Sequence, residues 1–169
     1  IKNVKSKNIL QVFQNNPDLY FESLSEGIWI PILPIDCIDY DIMVGSDEIA
    51  QGNWENVFAY DGFNLDVEDG EIWIGSIGSF ANFKVSEFKK AASDRLSYQT
   101  LDGETLNKGF RITLEKGKYR VSISGHKQHT NNDKTIYGYG FDFQKTAEFK
   151  GYNDPREDEK YTLNLPLYP

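Results

Sequence analysis

Apolar side chains at every second position constrain this chain most, because a period of two marks a strand that buries one face. Phe63, Leu65 and Val67 alternate with Asn64, Asp66 and Glu68. Tyr137, Tyr139, Phe141 and Phe143 alternate with Gly138, Gly140 and Asp142, which describes a strand with a packed aromatic face. Phe110, Ile112 and Leu114 lead into a turn containing Gly117, and Tyr119, Val121 and Ile123 return. Asp69-Gly70 between apolar alternations signals a hairpin, since glycine supplies the positive φ of such a turn. Two hairpins are therefore expected, at 63–77 and 110–124. Further strands are expected at 9–13, 38–44, 95–101 and 163–167, with 20–24 a strand or a short helical turn. Pro31 and Pro34 confine 28–33 to an edge or an irregular connection, because proline has no amide to donate to a ladder. Segments 45–52 and 125–134 read as polar loops, and 83–92 (FKVSEFKKAA) is the best helix candidate.

The 169 residues fit one β-rich domain spanning 1–169. Eleven Phe, ten Tyr and three Trp supply its buried area, while alanine is scarce, which favours strand over helix. The expected fold is mainly β: an antiparallel β-sandwich or partly open barrel with little helix. Cys37 stands alone, so no internal disulfide can form, and its neighbours Ile35 and Ile38 suggest a small buried hydrophobe. No apolar run approaches the roughly 20 residues of a membrane span, and no signal peptide is visible. The chain begins at Ile1 rather than Met, so a removed upstream segment qualifies the cytoplasmic location otherwise expected.

Charge is distributed one-sidedly. From Asn8 through Phe83 there is no Lys or Arg, yet that stretch carries fourteen carboxylates. From Lys84 to Pro169 the chain holds fifteen Lys or Arg against twelve Asp or Glu, within a net charge of -8. A segment of this kind repels nucleic acid and speeds encounter with cationic surfaces. Two plainer readings compete with that one: a solvated acidic face, or neutralisation within the fold by the basic second half.

Catalytic chemistry finds few parts. The two histidines, His126 and His129, fall in the stretch HKQHTNND, without a serine elbow and away from the lone cysteine. With Asp133 they make a thin metal-ligand set, and loop histidines are usually solvated. The oxygen ligands from Asp61 to Asp66 have the wrong offsets for a calcium loop, and GSIGSF lacks the spacing of a phosphate cradle. With 26 acidic residues some carboxylate pair always exists, so pairing alone carries no weight for glycoside hydrolysis. No enzyme activity, cofactor, metal or nucleic-acid partner is expected.

The stretches DGEIWIGSIGSFANFKV, RLSYQTLDG, FRITLEKGKYRVSISGHKQ and YGYGFDF, within 69–143, resemble competence protein J and related small bacterial inhibitor or immunity proteins. Its distinctive element is LEKGKYRVSI, a strand ending in a Lys-Gly-x-Tyr turn that leads to an alternating strand. The resemblance implies a β-sandwich that binds and inhibits a nuclease. The residues ahead of it have no counterpart in the family, and no inhibitory residue carries across. Together with the charge map it leads to an expected immunity protein that neutralises a cationic toxin, with no membrane partner. The binding residues would be drawn from Asp36, Asp39, Asp41, Asp47, Glu48, Asp66, Glu68, Asp69 and Glu71, with Trp54 or Tyr60 as aromatic anchors. The alternative is a non-catalytic, carbohydrate- or calcium-linked β-sandwich module.

Overall fold

A computed structural model describes residues 9–76, 88 and 93–168. Strand outweighs helix, 43% to 17%, and the strands form two mostly antiparallel sheets with no closed barrel, the mainly β class that the alternation implies. The strands are β1 (Tyr40–Val44), β2 (Glu55–Val67), β3 (Glu71–Gly75), β4 (Arg95–Gln99), β5 (Thr105–Thr113), β6 (Gly117–His129) and β7 (Thr135–Thr146). One sheet has the order β1-β7-β6-β2, the other β3-β5-β4. β1 runs parallel to β7; β7 and β6 are antiparallel, as are β3 with β5 and β4 with β5.

By its internal contacts the chain divides into two compact units. One contains the described residues up to Ser23 and those of Val67–Gly117, with the three-stranded sheet. The other contains Leu24–Asp66 and Lys118–Pro169, with the four-stranded sheet.

Neither expected hairpin pairs with itself. Gly70 does take the positive φ of a turn, 86°. Yet β2 lies beside β6, and β3 pairs with β5, Ile72 against Ile112 and Ile74 against Phe110. Charge explains the exchange. A tight hairpin at Asp69-Gly70 would set Glu68 against Glu71, and like charges directly opposite destabilise a pair. Closing 110–124 locally would crowd Arg111, Lys118 and Arg120. Pairing the acidic arm with the basic one instead sets Lys118 Nζ 2.8 Å from Asp66 and Arg111 3.8 Å from Glu71. Lys127 lies 3.5 Å from Glu55, and Arg120 donates to Asn64. Each turn thus hands the chain from one sheet to the other.

Other expectations need correction. Segment 9–13 is not a strand but part of a helix, α1 (Ile9–Asn15), followed at once by α2 (Pro17–Ser25). Pro17 cannot donate to the preceding turn yet suits a helical first position, so it ends one helix and begins the next. Asn16 joins them: its side chain donates to the Val12 carbonyl, and its own carbonyl accepts from the Tyr20 amide. Phe13 and Tyr20 are buried with their rings edge-on at 6.0 Å. The loop expected at 45–52 contains a short helix, α3 (Ser46–Gln51), whose Glu48 reaches back to the Val44 amide at 2.6 Å. The loop expected from 125 begins only after His129, because β6 runs on. Cys37 is exposed rather than buried. Segment 28–33 is irregular, as its prolines require. The helix expected at 83–92 lies outside the described residues except for Phe88, which is buried against Trp73. No described helix is long and apolar enough to cross a membrane.

The last segment, 161–168, alternates buried Tyr161, Leu163 and Leu165 but forms no strand, ending in a 3-10 turn at Leu165–Leu167. Its backbone is satisfied by tyrosine hydroxyls instead of a ladder. Tyr139 donates to the Leu163 carbonyl at 2.6 Å and Tyr168 to the Thr162 carbonyl at 2.7 Å, while the Thr162 amide donates to Tyr60. Gly125 on β6 leaves room for this segment: a Cβ there would collide with the Phe58 ring and lie 2.6 Å from Leu165.

Candidate functional site

The alternating glycines of β7 shape the opposite face of the four-stranded sheet. A Cβ on Gly140 would meet Ile49 of α3 at 2.7 Å, and one on Gly138 would meet Met43 at 2.9 Å and the Trp54 ring at 3.3 Å. With no side chains at those two positions, Met43, Ile49 and Trp54 settle directly onto the strand. Gly52 is similarly required, because the Trp54 indole occupies the place of its side chain.

Beside this packing lies an open hollow of about 390 Å³ lined by Asp41, Ile42, Met43, Glu48, Gln51, Gly52 and Trp54. Its lining is mainly polar: Asp41 and Glu48 bring carboxylates, while half-buried Trp54 and the buried Met43 bring a smaller aromatic and apolar part. Among the described residues, no lysine or arginine lines it. One Glu48 oxygen holds the Val44 amide; Asp41 is exposed.

Of the residues singled out from the sequence, the fold brings Asp41, Glu48 and Trp54 together here. Asp36, Asp39 and Asp47 are exposed along the same stretch, Asp36 accepting from Asn164 at 3.1 Å. Among the described residues, none of these acids has a basic group within ion-pair distance. Asp66 and Glu71 do, in Lys118 and Arg111. Glu68 and Asp69 are exposed beside the sheet-switching turn. Tyr60 stacks on Phe58 at 5.0 Å and meets the Tyr168 hydroxyl at 3.2 Å, so its ring belongs to the aromatic packing under 161–168. Burial, and then the neighbouring Tyr60 hydroxyl, push the Tyr168 phenol up to about 12. Met43 and Gln51 were missed by the sequence reading. The YGYG run was the available signal, since glycines alternating with aromatics in a strand mark a face that something else must fill.

His126 departs most from expectation. It sits within β6, 3% exposed, with Nε2 2.8 Å from the Ser124 hydroxyl. A nucleophile and a base are thereby in contact, but among the described residues Nδ1 has no hydrogen-bond partner, so none of their acids orients the ring as acyl-transfer chemistry requires. Burial lowers the imidazole pKa below its ordinary 6.5, favouring the neutral form. The unfolded chain therefore binds the extra proton first as pH falls. Stability is fully present above about 6.5 and is lost as pH drops through the lowered folded value. Urea unfolding between about pH 7.5 and 5 is expected to show this fall, and His126→Gln to flatten it; an unchanged pH slope in the variant would assign the effect elsewhere.

Comparison with protein-family models, with curated proteins and with solved structures finds no match.

Proposed function

We propose that this chain is a binding protein for a cationic protein partner, acting as an immunity or inhibitor protein that neutralises a basic toxin, most simply a nuclease domain. The observation that carries the reading is the contrast between two sets of acids. Asp66, Glu71 and Glu55 are matched internally by Lys118, Arg111 and Lys127. Asp36, Asp39, Asp41 and Asp47 are exposed without basic partners among the described residues. The docking surface accordingly narrows to 36–48 with Trp54, a smaller face than the cation-free stretch suggests. A nuclease gathers cations to hold phosphates, and an acidic face fits that surface in place of nucleic acid.

The test is capture of a basic protein from the source cell, followed by association kinetics with that purified partner. The association rate is expected to fall about tenfold as salt rises from about 50 to about 500 mM, because such encounters are screened. A variant with Asp36, Asp39 and Asp47 all changed to Asn should slow association by a similar factor at low salt, while Glu71→Gln should have little effect. Salt-independent association, or a triple variant that binds like the parent chain, removes the reading.

A further inference from the structure

We infer that the hollow between β1, α3 and Trp54 is a socket for an arginine side chain of the partner. This rests on the proposed docking surface and names what enters it. Three features of the lining select the occupant. The carboxylates of Asp41 and Glu48 line the same space, with no lysine or arginine beside them among the described residues, so an anion is repelled and a cation is attracted. One Glu48 oxygen is committed to the Val44 amide, leaving the other and both Asp41 oxygens as acceptors. The ligand must therefore bring several donors, and a guanidinium carries five in one plane.

The walls make the second selection. Met43, on the same face of β1 as Asp41, offers a small apolar surface for a methylene stem, and the hollow is also lined by Trp54, whose indole is the ring that binds cations best. A planar guanidinium stacks on an indole while directing its N–H groups outward; an ammonium does only the first part well. Size agrees. A volume of about 390 Å³ exceeds what a bare metal ion needs and admits a long side chain.

The third is rigidity. Gly52 and Gly138 allow the indole to seat against backbone on two sides, and Ile49 fixes α3 over Gly140. Trp54 and Glu48 are thus held before a ligand arrives, which spares the cost of ordering them on binding.

The probe is Nα-acetyl-arginine amide, titrated into the whole chain and followed by the Trp54 indole and the Gln51 and Gly52 amide resonances. Saturable shifts confined to the hollow are expected, at least about tenfold weaker with the neutral isostere Nα-acetyl-citrulline amide and weaker with Nα-acetyl-lysine amide. Asp41→Asn should weaken the arginine probe about fivefold and Trp54→Leu more, with resonances of the sheet distant from the hollow unchanged. Equal response to citrulline, tighter binding of lysine, or no saturable response overturns the socket. The two readings also separate on the purified partner. If Asn at Asp36, Asp39 and Asp47 slows association but Asp41→Asn and Trp54→Leu leave its affinity intact, the acidic surface stands and the socket falls.

Discussion

Asn64→Ala is expected to destabilise the chain by about 3 kcal/mol, read from the urea midpoint at constant slope. Asn64 is 3% exposed, and its amide donates to the Ser25 carbonyl at 3.1 Å and the Gly151 carbonyl at 2.9 Å, while its oxygen accepts from Arg120. One side chain therefore ties three segments together, separated by 39, 87 and 56 positions in sequence. Truncation leaves two carbonyls and a guanidinium short of partners, and an unmet buried group costs about 1–3 kcal/mol. Asn64→Asp separates donor loss from lost charge pairing: it would strengthen the contact with Arg120 but cannot donate to either carbonyl. It should therefore remain destabilised. A midpoint within error of the parent chain for both variants would mean water replaces these bonds at no cost.

Leu165→Ala is the second large effect, about 3 kcal/mol within the 2–5 typical of a buried leucine cut to alanine. Leu165 is fully buried, and its methyl group occupies the space above Gly125. Gly125→Ala alone should also destabilise, because its new carbon would press on Phe58 and Leu165. Combined, the two should cost less than their separate losses added together, since removing Leu165 frees space for Phe58 to retreat. Strict additivity would show that 161–168 does not pack on β6 as described. That outcome would also undermine the role of the tyrosine hydroxyls in satisfying its backbone.

The strands themselves were legible, and their partners were not. Alternation placed β2, β5, β6 and β7, and Asp69-Gly70 marked a true positive-φ turn. A turn signal reports local backbone, whereas pairing depends on what opposes each side chain, and here Glu68 and Glu71 disfavour the local choice. Of the readings that the charge segregation leaves open, neutralisation within the fold holds in part, since Lys118, Arg111 and Lys127 meet acids from the first half. The helices at 9–25 are hidden in the sequence because Ile9, Val12 and Phe13 also suit a short strand, and a proline such as Pro17 suits a turn as well as the first position of a helix. Asp41, Glu48 and Trp54 were chosen for charge and aromaticity; that they line one hollow depends on Gly52 and Gly138, whose significance appears only when the ring above them is seen. His126 was misplaced because the polar residues after it hid the continuation of β6.

The exchanged arms have a consequence during synthesis. β2 and β3 are made early, but their partners β6 and β5 begin at Gly117 and Thr105, so Asp66 waits for Lys118, 52 residues later. At about 5–20 residues per second the first strands spend several seconds with unmatched edges on the ribosome. Carboxylates along such edges repel a second edge of the same kind, which disfavours pairing between nascent chains until the basic arm emerges.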